Sequence, residues 1–121
     1  MAKTFLIPEK MYHFPLRVFV GSYEEYSAYC KRHYGFEEKE QQFFGGFSFL
    51  VTYENGKPEG FIWLPKFDSA SIGDIGTLSH ECIHIALRVL FKLGISVTEG
   101  NQEPLAYLHE YFFTEALKKL K

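Results

Sequence analysis

The chain is 121 residues long, 46% hydrophobic and 23% charged, with a formal net charge of -2. That length sustains one hydrophobic core, so a single domain spanning residues 1–121 is expected. The only basic cluster is Lys118, Lys119 and Lys121, which suits the negative end of a helix, and charge-driven nucleic-acid binding is not expected.

The opening stretch MAKTFLIPEKMYHF lacks the apolar core and small-residue cleavage site of a secretory signal. No apolar run approaches the length of a membrane span. With two cysteines, Cys30 and Cys82, the simplest expectation is a cytoplasmic protein with free thiols. The aromatic share is 18%, and these rings are expected to fill the core rather than form a recognition surface.

Residues 16–20 (LRVFV) are β-branched and aromatic and predict a strand. Ser22 then stands three residues before Glu25, the spacing of a capping box, so a helix runs to about Tyr34 and stops at Gly35. Residues 36–46 are polar and end in Gly45-Gly46, which predicts a loop. FSFLVTY, Asn55-Gly56 and KPEGFIWLP read as a hairpin, with a type I′ turn at Asn-Gly and Phe47, Phe49, Val51 and Tyr53 alternating onto one face. Pro58 and Pro65 bracket the second strand and suggest an edge position for it. Residues 72–93 predict a long helix, closed by Gly94 and apolar around most of its circumference, hence buried. A loop over 95–101 leads to a last helix from about Gln102 to Leu120, with Pro104 in its first turn. The order β-α-β-β-α-α predicts an α+β domain, a small mixed or antiparallel sheet packed on helices.

His80-Glu81-Cys82-Ile83-His84 is an HExxH pattern. Residues four apart on a helix share a face, so both imidazoles can reach one Zn²⁺ at about 2.0–2.1 Å. Glu81 is turned about 100° from His80. It lies near the metal without needing to bind it, where a base is required to take a proton from metal-activated water. Chance would yield the pattern in roughly one such sequence in fifty, so its setting matters. Thr77, His80, Glu81, His84 and Arg88 form one polar stripe on an otherwise apolar helix. Polar groups drawn beside a core are costly unless paired or metal-bound. A hydrogen-bonded histidine pair at the rim of the helix is the reading without metal.

A catalytic zinc takes three protein ligands and keeps an open position. No third histidine follows at the HExxHxxGxxH spacing. The downstream carboxylates are Glu99, Glu103 and Glu110. Glu103 is the preferred third ligand because it opens the last helix, one turn before the small residue Ala106. Glu99 is the alternative, and Glu110 could support the site from behind. A solvated glutamate is the ordinary fate of each. His13, His33 and His109 read as surface histidines. Tyr107, one turn from Glu103, could donate to an oxyanion but fits a core or rim position better. Asp68 and Asp74 could orient an imidazole, and helix capping explains Asp74 as well.

The block Ser79-HECIH-IAL, then Gly94-Ile95, then Asn101-Gln-Glu-Pro-Leu-Ala-Tyr-Leu108 resembles the zincin superfamily in its gluzincin arrangement, HExxH…E. It is similar to small HExxH proteins carried by bacteriophages and related mobile elements. The resemblance covers about residues 77–113. It implies zinc held by His80, His84 and Glu103, with Glu81 as general base and acid. It also implies an edge strand near residues 61–64 bordering the cleft, where an extended peptide adds as a strand. The chain departs from gluzincin peptidases in ending one helix after the third ligand, where those enzymes have larger helical regions that complete the cleft. A zinc-dependent peptidase with a peptide or protein substrate is therefore expected. The alternative is a zinc-stabilised accessory or binding protein without activity.

Overall fold

In a computed structural model, residues 2–35 and 45–121 are described. The elements among them are β1 (Lys3–Ile7), β2 (Leu16–Val20), α1 (Tyr23–Tyr34), β3 (Phe47–Thr52), β4 (Pro58–Leu64), α2 (Ile72–Leu93) and α3 (Glu103–Leu120). The strands form one mixed sheet in the order β1-β2-β4-β3. β2 and β4 are parallel, and the outer strands pair antiparallel to them. The small mixed α+β domain anticipated from the sequence is present, with one strand more. β1 has only five residues and no period of its own, but it pairs along its whole length with β2.

Alternation along the strands builds two cores. Leu16 and Val18 of β2 and Ile62 and Leu64 of β4 pack with Leu78, Ile85 and Val89 of α2 and with Leu108 and Phe112 of α3. Phe19, Phe61 and Trp63 point to the opposite face and pack with Tyr26 and Cys30 of α1. The aromatic residues accordingly fill a core: the Tyr26 and Trp63 rings stack with centroids 4.3 Å apart. The result is three layers, with α1 on one side of the sheet and α2 and α3 on the other.

The helix ends follow local chemistry. Ser22 and Glu25 form the reciprocal capping box, and Gly35 and Gly94 close α1 and α2 in the left-handed region. Glu103 and Pro104 open α3. The hairpin turn differs from the expected type I′. Gly56 has φ 81°, and His13 is the only non-glycine with positive φ among the described residues, so Asn55 does not adopt it. Gly56 N–H donates to Tyr53 O at 2.8 Å. This is a three-residue loop closed by a left-handed glycine. The loop expected over 36–46 lies, for 36–44, outside the described residues.

The edge assignment also changes. β4 lies between β2 and β3, and every residue after Pro58 in it is buried. Pro58 is tolerated because it is the first residue of the strand. β3 occupies the edge beside α2. The helix α2 was expected to be buried nearly all round. Instead it is an outer layer, buried toward the sheet and α3, and its remaining face is open: Ile72 is 88% and Phe91 80% exposed. No helix among the described residues is long and apolar enough to cross a membrane.

On the α1 side, the buried Glu59 carboxylate accepts from Tyr53 OH at 3.0 Å, Tyr34 OH at 3.2 Å and Arg17 Nε at 3.4 Å. Burial, then the hydrogen bond with Tyr53 and the Glu59 charge, push the Tyr34 phenol far above its ordinary value. A raised folded-state value means that the contribution of this phenol to stability is complete below about pH 10 and is lost as pH rises above it. In an ultraviolet titration, Tyr34 is therefore expected to ionise only as the chain unfolds in alkali. Tyr34→Phe should remove that late component; an unchanged titration curve would refute the assignment.

Candidate metal centre

The motif lies in the middle of α2, so its spacing becomes geometry through the helix itself. His80 and His84 both point out of the open face. Their Nε2 atoms are 3.1 Å apart and their rings nearly perpendicular, at 78°. Two nitrogens bound to one tetrahedral ion at about 2.0–2.1 Å lie about 3.3–3.4 Å from each other. The imidazole pair thus presents a nearly ready ligand edge, and its donor chemistry fits zinc. The same spacing permits one ring to donate to the other.

Glu81 has turned inward. It is only 7% exposed, lines the cleft beside His80, and has no hydrogen bond or ion pair among the described residues. A side chain built on Gly46, at the entry to β3, would lie 3.2 Å from Glu81 Cγ and 3.1 Å from Leu64 Cδ2. Glycine at 46 lets the chain pass close against the stem of the Glu81 side chain. Cys82 points into the core. Burial, and then the neighbouring Glu81 charge, push its thiol up to about 12, so it keeps its proton and is no ligand.

The polar stripe is real, and its far end is tied down. Arg88 donates through one guanidinium nitrogen to Ser48 O and to Ser48 Oγ, the latter at 3.0 Å. Ser48 belongs to β3, so this contact fastens the edge strand alongside the histidines.

Glu99, Glu103 and Glu110 are all exposed. Among the described residues no group of three or more His, Cys, Asp or Glu side chains converges. The fold brings His80 and His84 together and sets Glu81 beside them; it does not gather Glu103 with them. Asp74 accepts from Asp68 N–H at 2.9 Å and from Lys66 Nζ at 3.1 Å, and these two contacts lower its pKa. It fastens the segment before α2 and orients no imidazole. The α2 cap is Ser71, which accepts from Asp74 N–H.

His109 is not a free surface residue. Its Nε2 lies 3.1 Å from Ser79 Oγ and 3.2 Å from Ser79 O, and its ring stacks on Phe113. It joins α3 to α2 one residue before the motif. Tyr107 OH donates to Glu9 Oε2 at 3.1 Å, away from the histidine pair. These partners are far apart in sequence, and no spacing rule reveals them.

The fold and site together define an α+β domain with an HExxH helix as its outer layer. Comparison of the chain with protein-family models, with curated proteins and with solved structures gives no match.

Proposed function

We propose that the protein is a minimal zincin-like, zinc-dependent hydrolase that cleaves peptide bonds. The observation that carries this reading is the pairing of two imidazole nitrogens 3.1 Å apart with a glutamate on the same helix that lines the cleft beside them and makes no hydrogen bond among the described residues. A carboxylate that lines a cleft and makes no structural hydrogen bond is available to accept a proton from bound water. Both imidazoles are exposed, which suits an ion open to solvent better than the closed four-ligand shell of a zinc-stabilised accessory protein.

His80 and His84 would hold the ion. Glu103 is proposed as the third ligand on the strength of the sequence resemblance, not of the packing of α3. When bound, the metal supplies Lewis-acid polarisation of the scissile carbonyl and of water. Glu81 takes the proton of the attacking water and returns it to the leaving amine. The close approach of Gly46 to Glu81 Cγ limits where its side chain can move. β3, an edge strand among the described residues and packed beside α2, replaces the strand at 61–64 as the place where an extended peptide would add.

Elemental analysis tests this reading. Wild type is expected to hold about one zinc per chain, His80→Ala none, and Glu81→Gln the wild-type amount. Glu103→Gln should weaken zinc binding by about 10-fold or more if it is a ligand. A folded wild type that takes up no zinc from solution would sink the proposal.

A further inference from the structure

α2 and α3 meet almost entirely through apolar side chains. Leu78, Ile85 and Val89 of α2 share one cluster with Leu108, Phe112 and Ala116 of α3. Such packing is non-directional and specifies the axial register of two helices only loosely. One polar residue breaks the pattern. His109 Nε2 lies 3.1 Å from Ser79 Oγ and 3.2 Å from Ser79 O. A carbonyl oxygen only accepts, so the bond to it requires the proton on this nitrogen. These two contacts are the only hydrogen bonds between α2 and α3 among the described residues. A polar contact set in an apolar helix interface fixes register, at a cost in stability.

The register it fixes bears on the motif. Ile83, one turn after Ser79, lines the same hollow as Leu105 and Ala106, one turn before His109. The two helices therefore run antiparallel here. Glu103 lies six residues before His109, and His84 lies five residues after Ser79. Those separations are about 9 Å and 7.5 Å along the two axes. With Ser79 and His109 side by side, Glu103 comes to the height of His84. A slip of α3 by one turn would displace Glu103 by about 5.4 Å.

We infer that His109 is a positioning residue for the metal centre: by donating to Ser79 it holds α3 at the register that keeps Glu103 level with His84. This rests on the metal-hydrolase reading above, with Glu103 as third ligand. His109 acts through the helix that carries it and takes no part in the chemistry. Its ring stacks on Phe113, which limits rotation of the imidazole.

The test is the zinc affinity of the folded chain, measured by competition with a chromophoric chelator. His109→Phe keeps a ring on Phe113 and removes the N–H; it is expected to weaken zinc binding about tenfold or more. His109→Gln, whose amide donates at a similar reach, should restore most of that loss. In a Glu103→Gln background the His109→Phe change should weaken binding less than about twofold, because α3 no longer carries a ligand to position. A merely structural link would lower the urea midpoint of the metal-free chain and leave zinc affinity unchanged. Unchanged affinity in His109→Phe, or an equal loss with and without Glu103, overturns the positioning role and leaves the metal centre standing. Should His109→Phe not fold, His109→Asn, whose shorter amide does not reach Ser79, is read against the same outcomes. A folded wild type that takes up no zinc overturns both.

Discussion

Replacing Glu81 by Gln in the zinc-loaded chain is expected to lower peptide hydrolysis by about 10²–10⁴-fold, the usual contribution of a positioned general base. The measurement is turnover of a mixture of quenched fluorescent peptides at fixed zinc content. The substitution keeps the shape of the side chain and removes its basicity. The same substitution is expected to leave the unfolding free energy within about 0.5 kcal/mol of wild type, read from urea unfolding. The reason is local: Glu81 is 7% exposed and has no hydrogen bond or ion pair among the described residues. A glutamate kept for structure would instead lose stability on this change. Loss of stability with unchanged turnover would rule out its role as base.

The largest effect on stability is expected in the connection between β1 and β2. Glu9 follows β1 and is 3% exposed. Its carboxylate accepts from the N–H groups of Met11 at 2.7 Å, Tyr12 at 3.0 Å and Phe14 at 3.3 Å. It also accepts from Tyr107 OH at 3.1 Å, on α3. One side chain therefore shapes the β1–β2 connection and ties it to the last helix. Hydrogen bonds to a charged group contribute about 1.5–3 kcal/mol, and orphaned buried donors cost about 1–3 kcal/mol each. Glu9→Ala should lower the unfolding free energy by about 3–5 kcal/mol in urea titration, with Tyr107→Phe giving a smaller part of that loss. A change below about 1 kcal/mol at Glu9 would show that the loop holds its shape without the carboxylate. Tyr107 reports the same contact by titration. Burial, and then the hydrogen bond to Glu9, push its phenol up to about 12. The contribution of this phenol is complete below about pH 10 and is lost as pH rises from there through about 12.

Much of this molecule is legible locally. The capping box at Ser22 and Glu25, the glycine stops at 35 and 94, and the span of α2 are all properties of short sequence segments. The HExxH spacing likewise dictates the meeting of His80 and His84, because a helix brings residues four apart onto one face whatever surrounds it. The alternation of Phe47 and Phe49 gives the face of β3 that packs on the aromatic core.

What the sequence alone did not determine depends on pairing between distant segments. β1 is too short to announce itself and exists because β2 offers it five partners. Two prolines made β4 look like an edge. Its central position follows from being covered on both faces and paired on both sides, so the edge beside α2 passes to β3. The exposure of one side of α2 is set by which layers cover it, not by its composition. The partners of Glu9, His109 and Arg88 lie 98, 30 and 40 residues away, beyond the reach of any periodicity. The sequence by itself determined the chemistry carried on α2, since helical spacing is a short-range property. Only the tertiary structure decided that the Glu81 side chain is largely covered while the histidines face solvent, and that no third ligand converges on them among the described residues, since burial and convergence arise when separate layers pack.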